Sequence, residues 1–231
     1  MQSLRISEIV NMLTPCKLLA DIGCDHAYAC IMAIQENKAE CAFACDVNPG
    51  PLDRALENIH AAGLSDRITT VLSDGLKDVQ KDPEAIIISG MGGLLIRDIL
   101  AASPEKTEKA KQLILGPHSE ISELRRYLTS LTGFFITSEN VVKEQNKFYV
   151  LIKVEKGVER KEWSDTDLIC GKPELQKNLV LYKEYLNHEK EKAEKALKSI
   201  GDTAGASAGS RRTELDSLFT KYRKIYDSIQ I

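Results

Sequence analysis

Apolar and polar positions along this chain fall into two regimes. Up to residue 155, short unbroken apolar runs alternate with stretches of helical spacing. KLLADI (17–22), CAFACD (41–46), RITTVL (67–72), AIIIS (85–89) and QLILG (112–116) predict five strands. Helical patterns follow at 27–35, at 51–62, through residue 100 and through residue 131. Runs without polar alternation belong to strands buried on both faces. Their alternation with helices predicts a parallel sheet covered on both sides. FFITSENVV (134–142) and KFYVLIKVE (147–155), joined by KEQN, predict an antiparallel hairpin closing that sheet.

Beyond residue 156 the pattern changes. Residues 173–200 carry Leu175, Leu179, Tyr182, Leu186, Ala193, Leu197 and Ile200 at helical spacing with charge between them. Such a helix would run roughly 40 Å. GDTAGASAGS (201–210) has loop composition. Residues 211–229 are helical again, with Leu215, Leu218, Tyr222, Ile225 and Ile229. The expectation is an α/β domain over 1–156 and a helical coiled-coil hairpin over 157–231.

Composition narrows the setting. The 231 residues are 43% hydrophobic and 28% charged, an ordinary globular balance. No apolar run approaches the roughly 20 residues of a membrane helix. The start, MQSLRISEIV, has no secretory-leader pattern. Six cysteines form no C-x-x-C pair and no metal-ligand spacing, so no metal is expected. Cys41 and Cys45 read as buried small hydrophobes, and the whole set suits a reducing, cytoplasmic compartment. The net charge of −3 argues against a wholly basic nucleic-acid binder. Acidic side chains outnumber basic ones through residue 152 and the balance reverses afterwards, which leaves room for a local basic groove.

Ligands of such sheets bind beyond the carboxyl ends of the strands, and four successive ends carry polar or glycine-rich chemistry. The first is Asp21-Ile22-Gly23-Cys24-Asp25-His26, the second Asp46-Val47-Asn48, the third Ser73-Asp74-Gly75-Leu76 and the fourth Ser89-Gly90-Met91-Gly92-Gly93. A dinucleotide site wants G-x-G-x-x-G, so that a diphosphate meets bare backbone. Here Asp25 and Tyr28 replace the second and third glycines. A carboxylate there repels a diphosphate but attracts the sulfonium and ammonium of S-adenosyl-L-methionine. Asp46 lies about 20 residues beyond Gly23, the spacing of a ribose-diol acceptor. Asp74 is placed to accept from an adenine amino group, with Gly75 and Leu76 beside the ring. Asp46 and Asp74 can also be read as caps or turn formers, and His26 as a packed or capping histidine. The glycines at 90, 92 and 93 permit close approach to a ligand, and Met91 could pack on a flat base; a plain helix-entry turn is the alternative.

On these residues the chain resembles the bacterial tRNA (adenine-22-N1)-methyltransferase family. ADIGCDHAY (20–28), DVNPGP (46–51), SDGL (73–76), SGMGGLLIRDIL (89–100) and LGPH (115–118) carry the resemblance, DHAY and GMGG most specifically. It implies a Rossmann-like class I methyltransferase sheet, S-adenosyl-L-methionine as cofactor and tRNA as partner, with the N1 nitrogen of adenine-22 methylated. Arg5 would lie near the cofactor's carboxylate, and Asp25 and Met91 are the catalytic candidates. Gly92, Gly93, Pro117 and His118 would meet the substrate base. Lys195, Lys198, Arg211 and Arg212 are candidate contacts to the tRNA backbone, against the alternative of a solvated coiled-coil face. The chain departs from the family pattern at Cys24, at Asp46 in place of glutamate, and at His118 in place of asparagine. A different RNA base or a protein target, a nicotinamide-dependent oxidoreductase and a non-catalytic RNA-binding module are the competing readings.

Overall fold

The computed structural model describes residues 3–157, 162–200 and 206–230. A helix α1 (Leu4–Met12), capped by the Ser3 side chain, leads into β1 (Cys16–Ile22). Then follow α2 (Tyr28–Gln35), β2 (Ala39–Asp46), α3 (Pro49–Ala61), β3 (Ile68–Leu72), β4 (Ala85–Met91), α4 (Gly93–Ala102) and α5 (Pro104–Lys109). The domain continues through β5 (Gln112–Pro117), α6 (Ile121–Ser130), β6 (Phe134–Glu144) and β7 (Lys147–Lys156). The seven strands are ordered β3-β2-β1-β4-β5-β7-β6. The first five are parallel, and β7 runs antiparallel to both β5 and β6.

Each face of the sheet has its own core, which is why the strands read as unbroken apolar runs. Ile86 and Ile88 face a core shared with α4, α6 and the C-terminal helices, whereas Ala85 and Ile87 face the core of α1, α2 and α3. The β6–β7 hairpin turns on Gln145 and Asn146, both left-handed at φ 50° and 62°. That geometry matches a two-residue turn between twisted strands. Cys45 is buried as expected, but Cys41 is exposed at the sheet's edge side of β2; the run it opens alternates at that end.

The C-terminal region departs from the single long helix expected over 173–200. After α7 (Asp165–Cys170) with its Ser164 capping box, the chain makes a 3-10 turn at Pro173–Leu175, and α8 spans Leu179–Ile200. Gly171 at φ 86° ends α7, and the Asn178 side chain accepts from Leu181 N–H to start α8. At 1.5 Å per residue α8 is about 33 Å long. The final helix α9 (Ala206–Ser228) begins inside the segment expected as loop, whose first residues, 201–205, lie outside the described ones. The two helices are antiparallel: Lys183, near the start of α8, donates to the Ile229 carbonyl at 2.7 Å.

A buried ion pair fastens this region to the sheet. Arg125 of α6 and Glu139 of β6 are 1% and 0% exposed and meet in a two-pronged contact of 2.7 and 3.2 Å. Arg125 also donates to the Leu168 and Ile169 carbonyls, and Gln176 donates to Glu139 at 2.8 Å. Removing one partner of a buried pair strands the other charge, at a cost of about 3–5 kcal/mol. Glu139→Gln is therefore expected to lower the unfolding free energy in water by that amount, read as a lower urea midpoint at an unchanged slope. A midpoint equal to that of the unaltered chain would show the pair to be dispensable.

Candidate active site

The strand tips form one ridge because the backbone stitches neighbouring tips together. Gly23 and Cys24 N–H both donate to the Cys45 carbonyl, at 2.8 and 2.9 Å; Ser73 N–H donates to Asp46 O, and His118 N–H to Met91 O. In the order of the sheet, the ridge reads Asp74, Asp46, Gly23, Ser89-Gly90, His118. A cleft of about 250 Å³ opens over its centre, lined by Arg5, Asp21, Gly23, Asp25, His26, Ser89, Gly90 and His118 among others. Asp46, Val47, Asn48 and the 74–76 turn flank it on the β2–β3 side rather than lining it.

Asp21 is the electrostatic centre. It is 5% exposed and its polar neighbour is the weak Cys30 thiol, 3.9 Å from Oδ2. Burial, tempered by that thiol and reinforced by the nearby Asp46, pushes its pKa up to about 7. A buried carboxyl with no cation of its own is a receptor for one. Asp46 accepts from Asn48 N–H at 2.9 Å through Oδ1, which leaves Oδ2 without a protein partner and able to take hydroxyl hydrogen bonds. Asp25, at φ 51°, is exposed and already paired with His26 at 3.4 Å and Arg54 at 3.3 Å. His26 stacks on Tyr28. Asp74 is exposed and paired with Lys77.

Several expected contacts take other roles. Leu76 is fully buried in the core, so its side chain offers no surface to a ring; Val47, 62% exposed beside Asp46, is the apolar residue that does. Gly93 is pressed on the 119–120 backbone, where a Cβ would stand 2.5 Å from the Glu120 carbonyl, and Gly92 faces the Ser119 and Glu120 side chains. These two glycines seat α4 on the following loop. Pro117 is buried at the end of β5. The Met91 methyl fills the space above Gly23, 2.2 Å from where a Cβ would be, and Gly23 sits at φ 74°. Lys195, Lys198, Arg211 and Arg212 lie on the helical hairpin away from this cleft; Lys198 is paired with Glu194 and Arg211 with Glu214. Three residues that sequence reasoning missed join the site: Arg54 on Asp25, Tyr28 beside His26, and Tyr149 of β7 under Arg5. Tyr28 lies in the DHAY motif, but nothing local marks Tyr149.

The ridge separates the two cofactor classes. A dinucleotide turn must offer free N–H groups to a diphosphate, yet those of Gly23 and Cys24 are spent on Cys45, and Asp21 and Asp25 stand beside them. The site suits a cationic, phosphate-free nucleoside. Among the described residues no group of His, Cys, Asp and Glu could hold a metal ion. Fold and ridge together define an S-adenosylmethionine-dependent methyltransferase of the Rossmann-like class. Residues 19–223 match the family model of tRNA (adenine(22)-N(1))-methyltransferase. The Bacillus subtilis (strain 168) tRNA (adenine(22)-N(1))-methyltransferase is 31% identical over 73% of this chain and 71% of its own length. Among solved structures, M. capricolum TrmK with S-adenosyl-homocysteine aligns at a TM-score of 0.86 and 28% identity over 100% of both chains. Streptococcus pneumoniae Sp1610 with S-adenosyl-L-methionine aligns at 0.83 and 29% identity, over 98% of this chain and 100% of that one. This chain belongs to the tRNA (adenine(22)-N(1))-methyltransferase family.

The pKa of Asp21 makes the site testable. Unfolded, this carboxyl ionises near 3.8; folded and empty, near 7. The empty protein therefore loses stability as pH rises from about 4 to about 7, on the order of 4 kcal/mol in all. Asp21→Asn is expected to melt higher than the unaltered chain at pH 8, with the gap narrowing towards pH 5, and to bind S-adenosyl-L-methionine at least about tenfold more weakly. In the unaltered chain, affinity should tighten between pH 6 and 7 as the carboxylate forms. Calorimetry and thermal melts check both; a pH-independent affinity would remove Asp21 from the cation's contacts.

Proposed function

We propose that this chain methylates the N1 nitrogen of adenine-22 in tRNA with the ridge residues in the following roles. The observation that carries the reading is the carboxylate ridge, with a cation-seeking Asp21 at its centre and Asp46 beside the exposed Val47. S-adenosyl-L-methionine supplies, when bound, an electrophilic methyl group on a sulfonium. Asp21 holds the cationic methionyl end, with Arg5 and His26 at the cleft's rim. Asp46 accepts from the ribose diol. Val47 and the Gly75 backbone flank the adenine ring of the cofactor, and Asp74 accepts from its amino group on turning from Lys77.

The target base enters between the Ser89-Gly90-Met91 segment and His118. Neutral adenine N1 already carries its lone pair, so no side chain has to remove a proton before attack. Alignment of the two reactants can account for about 7–11 kcal/mol of the barrier. Asp25, shared between Arg54 and His26, has little field left for the positive charge that develops on the base. Asp21, which no basic side chain pairs among the described residues, is the source of that stabilisation.

N1 lies on the pairing edge, so the base has to leave its pair or its stack. A second cleft, of about 680 Å³, starts at His118 and Ser119 and runs between the β6–β7 tip and the hairpin, past Phe148, Tyr185, His188 and Lys192. We read it as the path of the RNA around the extruded base. Lys195 and Lys198 lie further out along α8, about 10 and 15 Å beyond His188. Residues 1–156 then hold the chemistry and 157–231 the RNA. The Glu194 pairing of Lys198 is an exposed one, worth little, and yields readily to a phosphate. Free cysteines and a tRNA substrate suit the cytoplasm.

Mass spectrometry of nucleosides from unmodified tRNA, incubated with the protein and labelled cofactor, is expected to show label in N1-methyladenosine from position 22. Label in another base, or in protein, would redirect the assignment. Lys195→Glu with Lys198→Glu is expected to weaken tRNA binding about tenfold and to flatten its salt dependence. An unchanged affinity would take the outer hairpin out of the RNA path.

A further inference from the structure

At the mouth of the cofactor cleft, side chains from three distant segments meet. Arg5 of α1 donates through Nη1 to Nε2 of His118 at 2.7 Å. Its guanidinium lies 5.1 Å from the centre of the Tyr149 ring, and the His118 and Tyr149 rings are 5.6 Å apart. A guanidinium has donors and no acceptor. Nε2 must therefore be the accepting nitrogen, which makes the imidazole neutral with its proton on Nδ1. The groups around the ring agree. Arg5 from α1 and Lys147 from β7 are cationic, and Tyr149 is neutral; β4 presents Gly90 and the Met91 carbonyl, which takes the His118 N–H. Glu120 in the same loop is bound to Ser119, and Asp21 and Asp25 line the same cleft without moving the ring's pKa. Burial first, then Arg5 and Lys147, hold the His118 pKa below the ordinary imidazole value. The ring edge lies over Gly90, Cε1 being 3.9 Å from where a Cβ would stand. Arg5 keeps a further donor, a buried Nε without a partner, so one guanidinium can serve His118 and a cofactor carboxylate together.

We infer that Arg5 is a positioning residue for His118: it fixes the Nδ1–H tautomer, so that the ring presents one hydrogen-bond donor over Gly90 to a ring-nitrogen acceptor of the target purine other than N1. Donation to N1 itself would occupy the lone pair that attacks. The inference about the purine rests on the base-entry reading given above; the tautomer does not. Where that acceptor is N7, which a pyrimidine lacks, the same donor selects a purine.

The test has two arms. Ring nitrogen NMR of histidine-labelled protein resolves four histidines. His118 is expected to be the Nδ1–H tautomer and to titrate below the ordinary imidazole value, and Arg5→Ala is expected to raise its pKa and mix its tautomers, with Arg5→Lys between. An Nε2–H tautomer, or a His118 resonance unmoved by Arg5→Ala, overturns the inference whatever the activity. The second arm is the pH profile of kcat/KM for tRNA at saturating cofactor. Protonation of His118 is expected to set an acid limb that His118→Asn removes and Arg5→Ala moves to higher pH, with KM for tRNA rising more than about fivefold. A confirmed tautomer with the acid limb and KM unchanged in His118→Asn would place the base elsewhere and overturn the base-entry reading with it.

Discussion

The contact between Arg125 and Glu139 decides where everything C-terminal to the sheet can sit. A guanidinium and a carboxylate this deeply buried are tolerable only if each finds its full set of partners. Here the set spans four segments: α6 and β6 supply the charges, the end of α7 supplies two carbonyls, and Gln176 supplies an amide. Gly171 has to be glycine on two counts. Its φ is 86°, and a Cβ would stand 2.4 Å from the Glu139 carboxylate. The start of α8 is thereby held against β6, where Tyr182 donates its hydroxyl to the Cys170 and Gly171 carbonyls. The position of α8 in turn sets one wall of the wide cleft that meets the cofactor cleft at His118. A contact remote from the strand tips thus fixes the shape of that wide cleft.

The second organising feature works against stability. Parallel strands end at the same edge, so a sheet in which β1, β2 and β3 each carry an acid at or just past their ends gathers like charges. Asp21 and Asp46 are neighbours for this reason, and burial first, then Asp46, oppose the ionisation of Asp21 and raise its pKa to about 7. A cationic ligand reverses the balance. The energy that the empty fold loses at this point returns as affinity, and it selects against any ligand that brings phosphates to Gly23.

Much of this was legible in the sequence, because the strands are buried on both faces and so announce themselves as unbroken apolar runs. The order of glycines and acids at their ends is local information, and it survives folding unchanged. What sequence could not reach is whatever depends on two distant segments. Arg125 and Glu139 look like surface charges on a helix and a strand, since burial of each is justified only by the other. Tyr149 sits in a hairpin strand with no motif, and reaches Arg5 only because β7 inserts next to β5. Leu76, whose place in SDGL suggests a ligand surface, is directed into the core by the turn at Gly75, and the exposed apolar side chain at that end of the ridge is Val47. Gly92 and Gly93 looked like room for a base, whereas the room is filled by the loop at 119–120. The helix expected from residue 173 gives way to a 3-10 turn at Pro173–Leu175, and Asn178, whose side chain accepts from Leu181 N–H, caps a new start.

His118 connects these levels. It follows a β5 residue buried in the sheet, its backbone is tied to Met91, and its ring bridges to α1 and β7. It also lines both clefts. A short amide at this position would satisfy the Met91 carbonyl through the same backbone bond, but it could hardly reach Arg5 and overhang Gly90 at once. The longer, flat ring does both, and it adds a proton whose location depends on its neighbour. The cationic surroundings are what keep that ring neutral. A carboxylate next to Nε2 would draw a second proton onto the imidazole and break the contact with Arg5; Glu120, the acid of the same loop, is instead bound to Ser119.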